Sequence, residues 1–196
     1  GYAPNTGEEL LKHLQAMGLT VDQMLAAGVA TRFESGQVRD MFHGRLMFAL
    51  RDADGQVVGF AGRSLDGSNP KYINTPQTQL FDKGRLLYGM DRARDAIAKE
   101  GVAVVVEGYM DVVSLAAHGF ENVVAPLGTA LTPEQAKLLS SYTTRVLLLF
   151  DSDAAGLKAT FTAGDTLLEA ALHPAVVTMP AGEDPDTLVR LAVIHI

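Results

Sequence analysis

The sequence contains no cysteine and no tryptophan, and it has no excess of basic residues. Without cysteine, the chain cannot form a disulfide bond, a cysteine-ligated zinc site or a thiol nucleophile. Its longest uninterrupted apolar runs, residues 102–106 and 146–150 among them, are five residues long, which is far too short to cross a membrane. No charged, then apolar, then small-residue segment opens the sequence, so we expect no secretory signal. The first residue is Gly rather than Met, so we expect a piece of a longer protein.

The net charge is moderately acidic. Sixteen Lys and Arg against 23 Asp and Glu give −7 at pH 7. A protein that holds a duplex mainly by neutralising phosphates is usually basic, so the total argues mildly against nucleic acid as a partner. A site of clustered carboxylates that holds metal skews the total in the same direction, so the positions of the charges matter more than their sum.

The first half of the chain predicts helices followed by a hairpin. Capping-box pairs at Thr6/Glu9 and Thr20/Gln23 predict two short helices within the first 35 residues. Apolar residues then alternate on both sides of Asp54-Gly55, which predicts a β-hairpin. Residues 66–84 are rich in Gly, Pro, Asn and Thr and predict an irregular loop of a length that is usually functional or disordered.

The second half predicts strands that alternate with helices. The strands are expected at residues 102–106, 122–125, 146–150 and 175–179. Thr132 and Gln135 predict a capping box at the start of the helix between the second and third of these strands. Short apolar strands between amphipathic helices indicate a parallel sheet covered on both faces. We therefore expect an α/β chain, with an N-terminal α+β subdomain over residues 1–86 and a Rossmann-like, mostly parallel subdomain over residues 87–196.

Acidic residues follow three of these strands. They are Glu107 and Asp111 after the first, Asp151 and Asp153 after the third, and Glu183, Asp184 and Asp186 after the fourth. In parallel sheets the ligand lies beyond the carboxyl ends of the strands. Acidic clusters that converge there repel one another unless a cation lies among them, and oxygen-only ligands favour Mg²⁺ or Mn²⁺. Each single Asp could instead be an ordinary helix N-cap.

Basic residues lie in and near the irregular loop. Arg45 stands in the preceding strand, and Arg63, Lys71, Lys83 and Arg85 follow among Gly, Asn and Thr. Basic side chains beside carboxylate-bound metal suit a triphosphate. Scattered charges on a solvated loop are the alternative. None of the five histidines has the spacing of a metal ligand or receives a catalytic role.

These strings resemble a known family. Residues 107–111 (Glu-Gly-Tyr-Met-Asp) and 151–156 (Asp-Ser-Asp-Ala-Ala-Gly) are similar to the Toprim signature shared by primases, topoisomerases and some nucleases. Four further motifs narrow the resemblance to bacterial DnaG-type primases. They are residues 71–76, 81–89, 126–130 and 183–188, and the resemblance extends over about residues 39–190.

The resemblance implies a Toprim subdomain and a DNA-directed RNA polymerase that makes short RNA primers on single-stranded DNA. It implies a cofactor of Mg²⁺ or Mn²⁺, with more than one ion bound. The catalytic residues are then Glu107, Asp151 and Asp153, which also ligate the metal. The main ligands are then Glu107, Asp151, Asp153 and Asp184, supported by Asp111 and Asp186. The family's basic-polar set near nucleotide and template corresponds to Arg45, Arg63, Lys71, Asn74 and Lys83.

The resemblance also implies partners and a location. The partners are a single-stranded DNA template and ribonucleoside triphosphates and, for the full-length protein, the replicative helicase and single-strand-binding protein. The location is the bacterial cytoplasm, at the replication fork, and no membrane is involved. Family members also carry a zinc ribbon and a C-terminal helical part with a helicase-binding tail. We expect neither in this chain, and so expect a catalytic core.

Other functions stay open at this stage. One is a different Toprim enzyme, a nuclease or a topoisomerase fragment. Another is a haloacid-dehalogenase-like phosphatase with Asp151 as nucleophile, although that motif expects Thr or Val where this chain has Ala155. The last is a receiver-like switch or a non-catalytic metal-binding module, in which the basic loop has no role.

Overall fold

The computed structural model describes residues 1–128 and 130–179. The chain divides into two compact units, the first with residues 1–50 and 56–82 and the second with residues 51–55 and the described residues from Lys83 onward. The first unit ends a few residues before the boundary predicted at residue 86, and the predicted domain limits stay a prediction. Glu183, Asp184 and Asp186 lie outside the described residues.

The first unit is built on a four-stranded sheet. Its elements are β1 (Tyr2–Ala3), α1 (Glu9–Ala16), α2 (Val21–Ala26), β2 (Ala30–Arg32), β3 (Val38–Asp40), β4 (Arg45–Arg51), β5 (Val57–Ser64) and β6 (Tyr72–Asn74). The strand order in the sheet is β1-β4-β5-β6, and β2 and β3 form a separate antiparallel pair.

The two N-terminal helices begin in different ways. Thr20 and Gln23 form the predicted capping box of α2. The predicted box of Thr6 and Glu9 is wrong, because α1 begins after Glu8 and no side chain at its N-cap accepts a hydrogen bond. Instead the carboxylate of Asp40 accepts the amide protons of Leu10 and Leu11, at 3.0 and 2.8 Å. The first turn of α1 is thus capped from β3, about thirty residues away in the sequence.

The hairpin prediction places β4 and β5 correctly as neighbours in the sheet. In the turn between them the Asp52 carboxylate accepts the Asp54 amide proton at 3.0 Å, and Gly55 has a φ of +84°, which glycine adopts at no steric cost. The prediction of a wholly irregular stretch over residues 66–84 is wrong in part. Residues 72–74 form β6, which pairs antiparallel with the end of β5 and so satisfies the backbone of that edge.

The second unit is a parallel sheet with helical crossovers. Its elements are α3 (Met90–Glu100), β7 (Ala103–Val106), α4 (Tyr109–Ala117), β8 (Val123–Val124), α5 (Pro133–Ser140), β9 (Arg145–Leu149), α6 (Ala154–Glu169) and β10 (His173–Val176). The strand order is β10-β9-β7-β8, and each neighbouring pair is parallel. The predicted fold class, an α+β part followed by a mostly parallel α/β part, is confirmed.

Burial explains why the central strands are wholly apolar. All four residues of β7 are buried, and because successive side chains point to opposite faces, both faces of the sheet are covered there. Val105 and Leu148, on neighbouring strands, share the core with Ile97 of α3 and Leu167 of α6. Within residues 1–128 and 130–179, no helix is long and apolar enough to cross a membrane.

Candidate functional site

The strand order of the second unit reverses between β7 and β9. From β7 the chain crosses through α4 to β8 on one side, whereas from β9 it crosses through α6 to β10 on the other. A crevice forms at such a switch point beyond the carboxyl ends of the strands, because the two connections leave in opposite directions. The last residues of the two strands, Val106 and Leu149, are paired in the sheet, so Glu107 and Asp151 enter this crevice from adjacent strands.

The structure brings Glu107 and Asp151 into direct contact. The Oε1 atom of Glu107 accepts the backbone amide proton of Asp151 at 3.1 Å. This bond fixes one carboxylate oxygen of Glu107 against the turn that follows β9. The orientation of the Glu107 carboxylate is therefore set by the backbone of the neighbouring strand connection.

Gly156 makes this contact possible, and sequence analysis assigned it no role. It lies in the first turn of α6, where an added Cβ would stand 2.1 Å from the Asp151 carbonyl oxygen and 2.9 Å from Oε1 of Glu107. Only glycine allows the helix to begin so close to both groups. The available signal was a glycine within a helical pattern, which usually has a packing or functional reason.

The electrostatics of Glu107 agree with a cluster of acids. Its pKa lies above the usual value, first because burial disfavours the charged form and then because the negative charges of Asp151 and Asp153 repel it. The hydrogen bond from the Asp151 amide opposes this rise in pKa. Extra negative charge at this edge of the sheet is thus costly, as the sequence argument for a cation assumes.

Asp153 and Asp111 both serve as helix caps. Asp153 is the N-cap of α6, and its Oδ1 accepts the Gly156 amide proton at 2.7 Å. Asp111 reaches back one turn, and its Oδ2 accepts the Gly108 amide proton at 3.0 Å at the start of α4. Asp153 and Asp111 therefore have the capping role that was the alternative to metal binding. Their roles as ligands stay predictions.

The donor chemistry fits a hard divalent cation, since the acidic side chains at this edge offer only oxygen. Among residues 1–128 and 130–179, however, no three His, Asp or Glu side chains are grouped closely enough to hold a metal ion by themselves. The predicted ligands Asp184 and Asp186 lie outside the described residues. The described part supplies the contacting pair Glu107 and Asp151, with Asp153 close enough to influence the pKa of Glu107.

Four of the five predicted nucleotide- or DNA-binding residues lie in the first unit, and Arg45 is the buried one. Only 7% of Arg45 is exposed. Its Nη1 atom donates to the carbonyl oxygens of Pro70, Lys71 and Gly62, at 2.9, 3.4 and 3.5 Å. The side chain packs against Gly62, where a Cβ would stand 2.9 Å from the Arg45 Cδ. Arg45 therefore holds the backbone of the loop before β6.

The other three residues lie near that loop, on β5, directly before β6 and at the end of β6. Lys71 is exposed and directly precedes β6. Arg63 of β5 pairs with Tyr72 of β6, and its guanidinium carbon lies 5.7 Å from the centre of the Tyr72 ring, in cation–π range. Asn74, at the end of β6, is half-buried. The three residues thus lie on, or directly before, the paired strands β5 and β6 of the first unit.

The fifth residue, Lys83, lies in the second unit on a turn held by α5. Lys83 is exposed. Gln135, which is fully buried, donates from Nε2 to the carbonyl oxygens of Lys83 at 3.1 Å and Leu86 at 2.7 Å. Thr132 donates from its hydroxyl to the carbonyl oxygen of Gly84. Thr132 and Gln135 form the predicted capping box of α5, but the sequence carried no signal of their second contact.

Comparison with known proteins matches both halves of the chain. Residues 1–94 match the family model described as DNA primase catalytic core, N-terminal domain. Residues 104–189 match the model described as Toprim-like. Together these matches include the predicted basic-polar set and the predicted acidic set.

Individual proteins give the same result. The chain is 49% identical over 187 residues to a DNA primase of Deinococcus radiodurans, covering 94% of this chain and 33% of that protein. The structure of Aquifex aeolicus primase (zinc binding and RNA polymerase domains) superposes with a TM-score of 0.91 at 42% identity, over 97% of this chain and 47% of that one. A DnaG primase catalytic domain bound to single-stranded DNA matches with a TM-score of 0.86 at 40% identity, over 97% and 63%. The chain spans about a third of the length of the curated relatives it matches.

Proposed function

The chain belongs to the DnaG-type primase family, and we propose that it forms the catalytic core of a DNA primase. The proposed reaction is the synthesis of short RNA primers on single-stranded DNA by divalent-metal-assisted nucleotidyl transfer. Toprim-containing primases generally use divalent metals. The observation that carries the proposal is the contact between Glu107 and Asp151 at the switch point of the parallel sheet, in the region of the Toprim-like match.

The acidic edge of the second unit is the proposed metal site. Glu107, Asp151 and Asp153 would hold Mg²⁺ or Mn²⁺ together with Asp184, with Asp111 and Asp186 in support and with more than one ion. When bound there, a divalent ion would supply positive charge that lowers the barrier to attack of a ribose 3′-hydroxyl on an α-phosphate and favours release of pyrophosphate. The protein's own part is orientation: the Asp151 amide holds Oε1 of Glu107, and Gly156 keeps α6 close to both.

The basic residues are the proposed contacts to template and nucleotide. Lys71 and Lys83 are exposed and would supply charge for phosphate oxygens, and Arg63 and Asn74 lie near Lys71 on the paired strands β5 and β6. Arg45 would contribute by holding the loop that ends at Lys71. The proposed partners are the single-stranded template and ribonucleoside triphosphates and, for the full-length protein, the replicative helicase and single-strand-binding protein, at the replication fork in the cytoplasm.

Template-dependent incorporation of labelled ribonucleotide into RNA by the full-length gene product tests the function. Glu107→Gln and Asp151→Asn should abolish incorporation while the proteins stay folded, because each change keeps the shape of the side chain and removes one charge. Glu100→Gln is the matched control, since Glu100 is an exposed acid at the end of α3 in the same unit. It should leave incorporation unchanged.

A second measurement tests the metal site directly. Divalent ions should raise the melting temperature of the 196-residue chain, because an ion that binds only the folded state stabilises it by mass action. The increase should be smaller for Glu107→Gln and Asp151→Asn and unchanged for Glu100→Gln. Melting curves that do not respond to Mn²⁺, or an Asp151→Asn enzyme that still makes primers, would contradict the assignment.

A further inference from the structure

Gln135 is a fully buried polar residue whose side-chain oxygen and nitrogen both make hydrogen bonds. Its Oε1 accepts the Thr132 amide proton at 3.0 Å, which is the capping bond of α5. Its Nε2 donates to two carbonyl oxygens, those of Lys83 and Leu86. A cap needs only the first of these contacts. The two donated bonds therefore serve the segment they reach rather than the helix.

That segment is the turn that presents Lys83. Residues 83–85 form the turn, and Gln135 binds the backbone carbonyl of its first residue, Lys83, and that of Leu86, which follows it. The Thr132 hydroxyl binds the carbonyl of Gly84 between them. The start of α5 thus holds three backbone carbonyls of residues 83–86, while the Lys83 side chain stays exposed.

From this geometry we infer that Gln135 is a positioning residue for nucleotide binding. It fixes the backbone from which the Lys83 ammonium reaches the phosphates of an incoming ribonucleoside triphosphate. The inference rests on the proposed function, because it needs the Lys83 side chain to contact nucleotide. Preorganisation is the physical basis: a charge held in place binds without the cost of ordering its loop.

The test compares the KM for ribonucleotide in the full-length gene product for Lys83→Ala, Gln135→Leu and the double variant. Lys83→Ala should raise the KM by about tenfold or more, the size of one charge-assisted hydrogen bond. Gln135→Leu should raise it in the same direction and by no more than Lys83→Ala. In the Lys83→Ala background, Gln135→Leu should add nothing, because the group that it positions is gone.

Two further variants separate positioning from general destabilisation. Gln135→Met keeps the length and volume of the side chain but cannot donate a hydrogen bond, so it should raise the KM as Gln135→Leu does. Asn122→Leu is the matched control. Asn122 is also buried and donates from its amide to a carbonyl of the second unit, that of Val102 at 3.1 Å. It should lower the melting temperature and leave the KM unchanged.

The results distinguish a failure of the Gln135 role from a failure of the Lys83 role. If Lys83→Ala raises the KM and neither Gln135 variant does, the inference about Gln135 is wrong and the role of Lys83 stands. A Gln135 effect that persists at full size in the Lys83→Ala background would also overturn it. If Lys83→Ala leaves the KM unchanged, the proposed role of Lys83 fails, and the inference fails with it.

Discussion

At the scale of single residues, the acidic edge depends on one missing side chain. Gly156 has no Cβ, and this lets the Asp151 carbonyl and the Glu107 carboxylate approach the first turn of α6. The Asp151 carbonyl is backbone and cannot swing away as a flexible side chain could. A residue without functional groups is therefore as necessary to the proposed metal site as the acids around it.

Substitution of this glycine should be costly. Gly156→Ala should destabilise the second unit by more than about 2 kcal/mol, since its Cβ would overlap backbone in a packed region. Gly164→Ala is the control in the same helix, because beyond the backbone of its own helical turns and its chain neighbours no atom lies within 4 Å of its added Cβ. That change should stabilise by roughly 0.5–1 kcal/mol. Urea unfolding of both variants measures the difference, and a Gly156→Ala chain as stable as wild type would contradict the steric argument.

The raised pKa of Glu107 predicts how stability depends on pH. Because the folded chain binds this proton more tightly than the unfolded chain, the favourable contribution of Glu107 is complete below its ordinary pKa of 4.5 and is lost as the pH rises through the raised pKa. Without divalent metal, Glu107→Gln should therefore be more stable than wild type at pH 7, and the difference should shrink as the pH falls towards 4.5.

Unfolding free energies across this pH range provide the measurement. Glu100→Gln is the control, because it removes an exposed acid from the same unit. Added Mg²⁺ should reverse the order at pH 7, since it stabilises the carboxylate of the wild type. A constant difference between Glu107→Gln and wild type from pH 4.5 to 8 would show that the charge of Glu107 has no cost in the fold.

At the scale of elements, local signals predicted local features well. The capping boxes before α2 and α5 involve residues three apart and were predicted from the sequence. The start of α1 was not, because its cap comes from Asp40, which the fold alone brings to the helix. The strand β6 was missed for the same reason: three residues gain strand structure only by pairing with β5. The contact of Gln135 with residues 83–86 likewise joins distant segments.

The hydrogen bonds of Arg45 connect β4 to the loop before β6, and this predicts a structural role for a residue expected to bind nucleic acid. Arg45→Met should cost about 1–3 kcal/mol, because it leaves partly buried carbonyl groups without their donor. Arg45→Lys should restore only part of this, since an ammonium cannot reproduce the planar guanidinium.

Arg51→Met is the matched control for Arg45, in the same strand. Arg51 is exposed and donates one bond to the Gly55 carbonyl at 2.6 Å, so its loss should change stability by less than about 0.5 kcal/mol. Chemical unfolding gives these values. If Arg45→Met is as stable as Arg51→Met, the guanidinium does not hold the loop, and direct contact with nucleic acid becomes its better explanation.

At the scale of the whole molecule, the order of strands and acids determined how much of the site could be predicted. Apolar strands that each end in acid predict one edge of a parallel sheet, and Glu107 and Asp151 do meet at the switch point between β7 and β9. The sequence could not predict how Arg45 and Lys83 differ. Arg45 is buried and hydrogen-bonds to backbone carbonyls, whereas Lys83 is exposed on a turn whose backbone is bound by α5. Which of the two is buried depends on tertiary packing.

The net charge of −7 predicts weak and salt-dependent binding of single-stranded DNA by the 196-residue chain. With Arg45 buried and Lys83 assigned to the nucleotide, two cations of the predicted set remain for the strand: Arg63 and Lys71. Each phosphate contact on a single strand contributes about −0.7 to the slope of log affinity against log salt, so affinity should fall roughly 7-fold between about 50 and 200 mM salt. Lys71→Ala should flatten the slope by about 0.7, because it removes one contact.

The control is Lys99→Ala, which replaces an exposed lysine in the last turn of α3 and should leave the slope unchanged. Fluorescence anisotropy with a labelled oligonucleotide measures these slopes, and tight binding that ignores salt would mean that stacking rather than charge holds the strand.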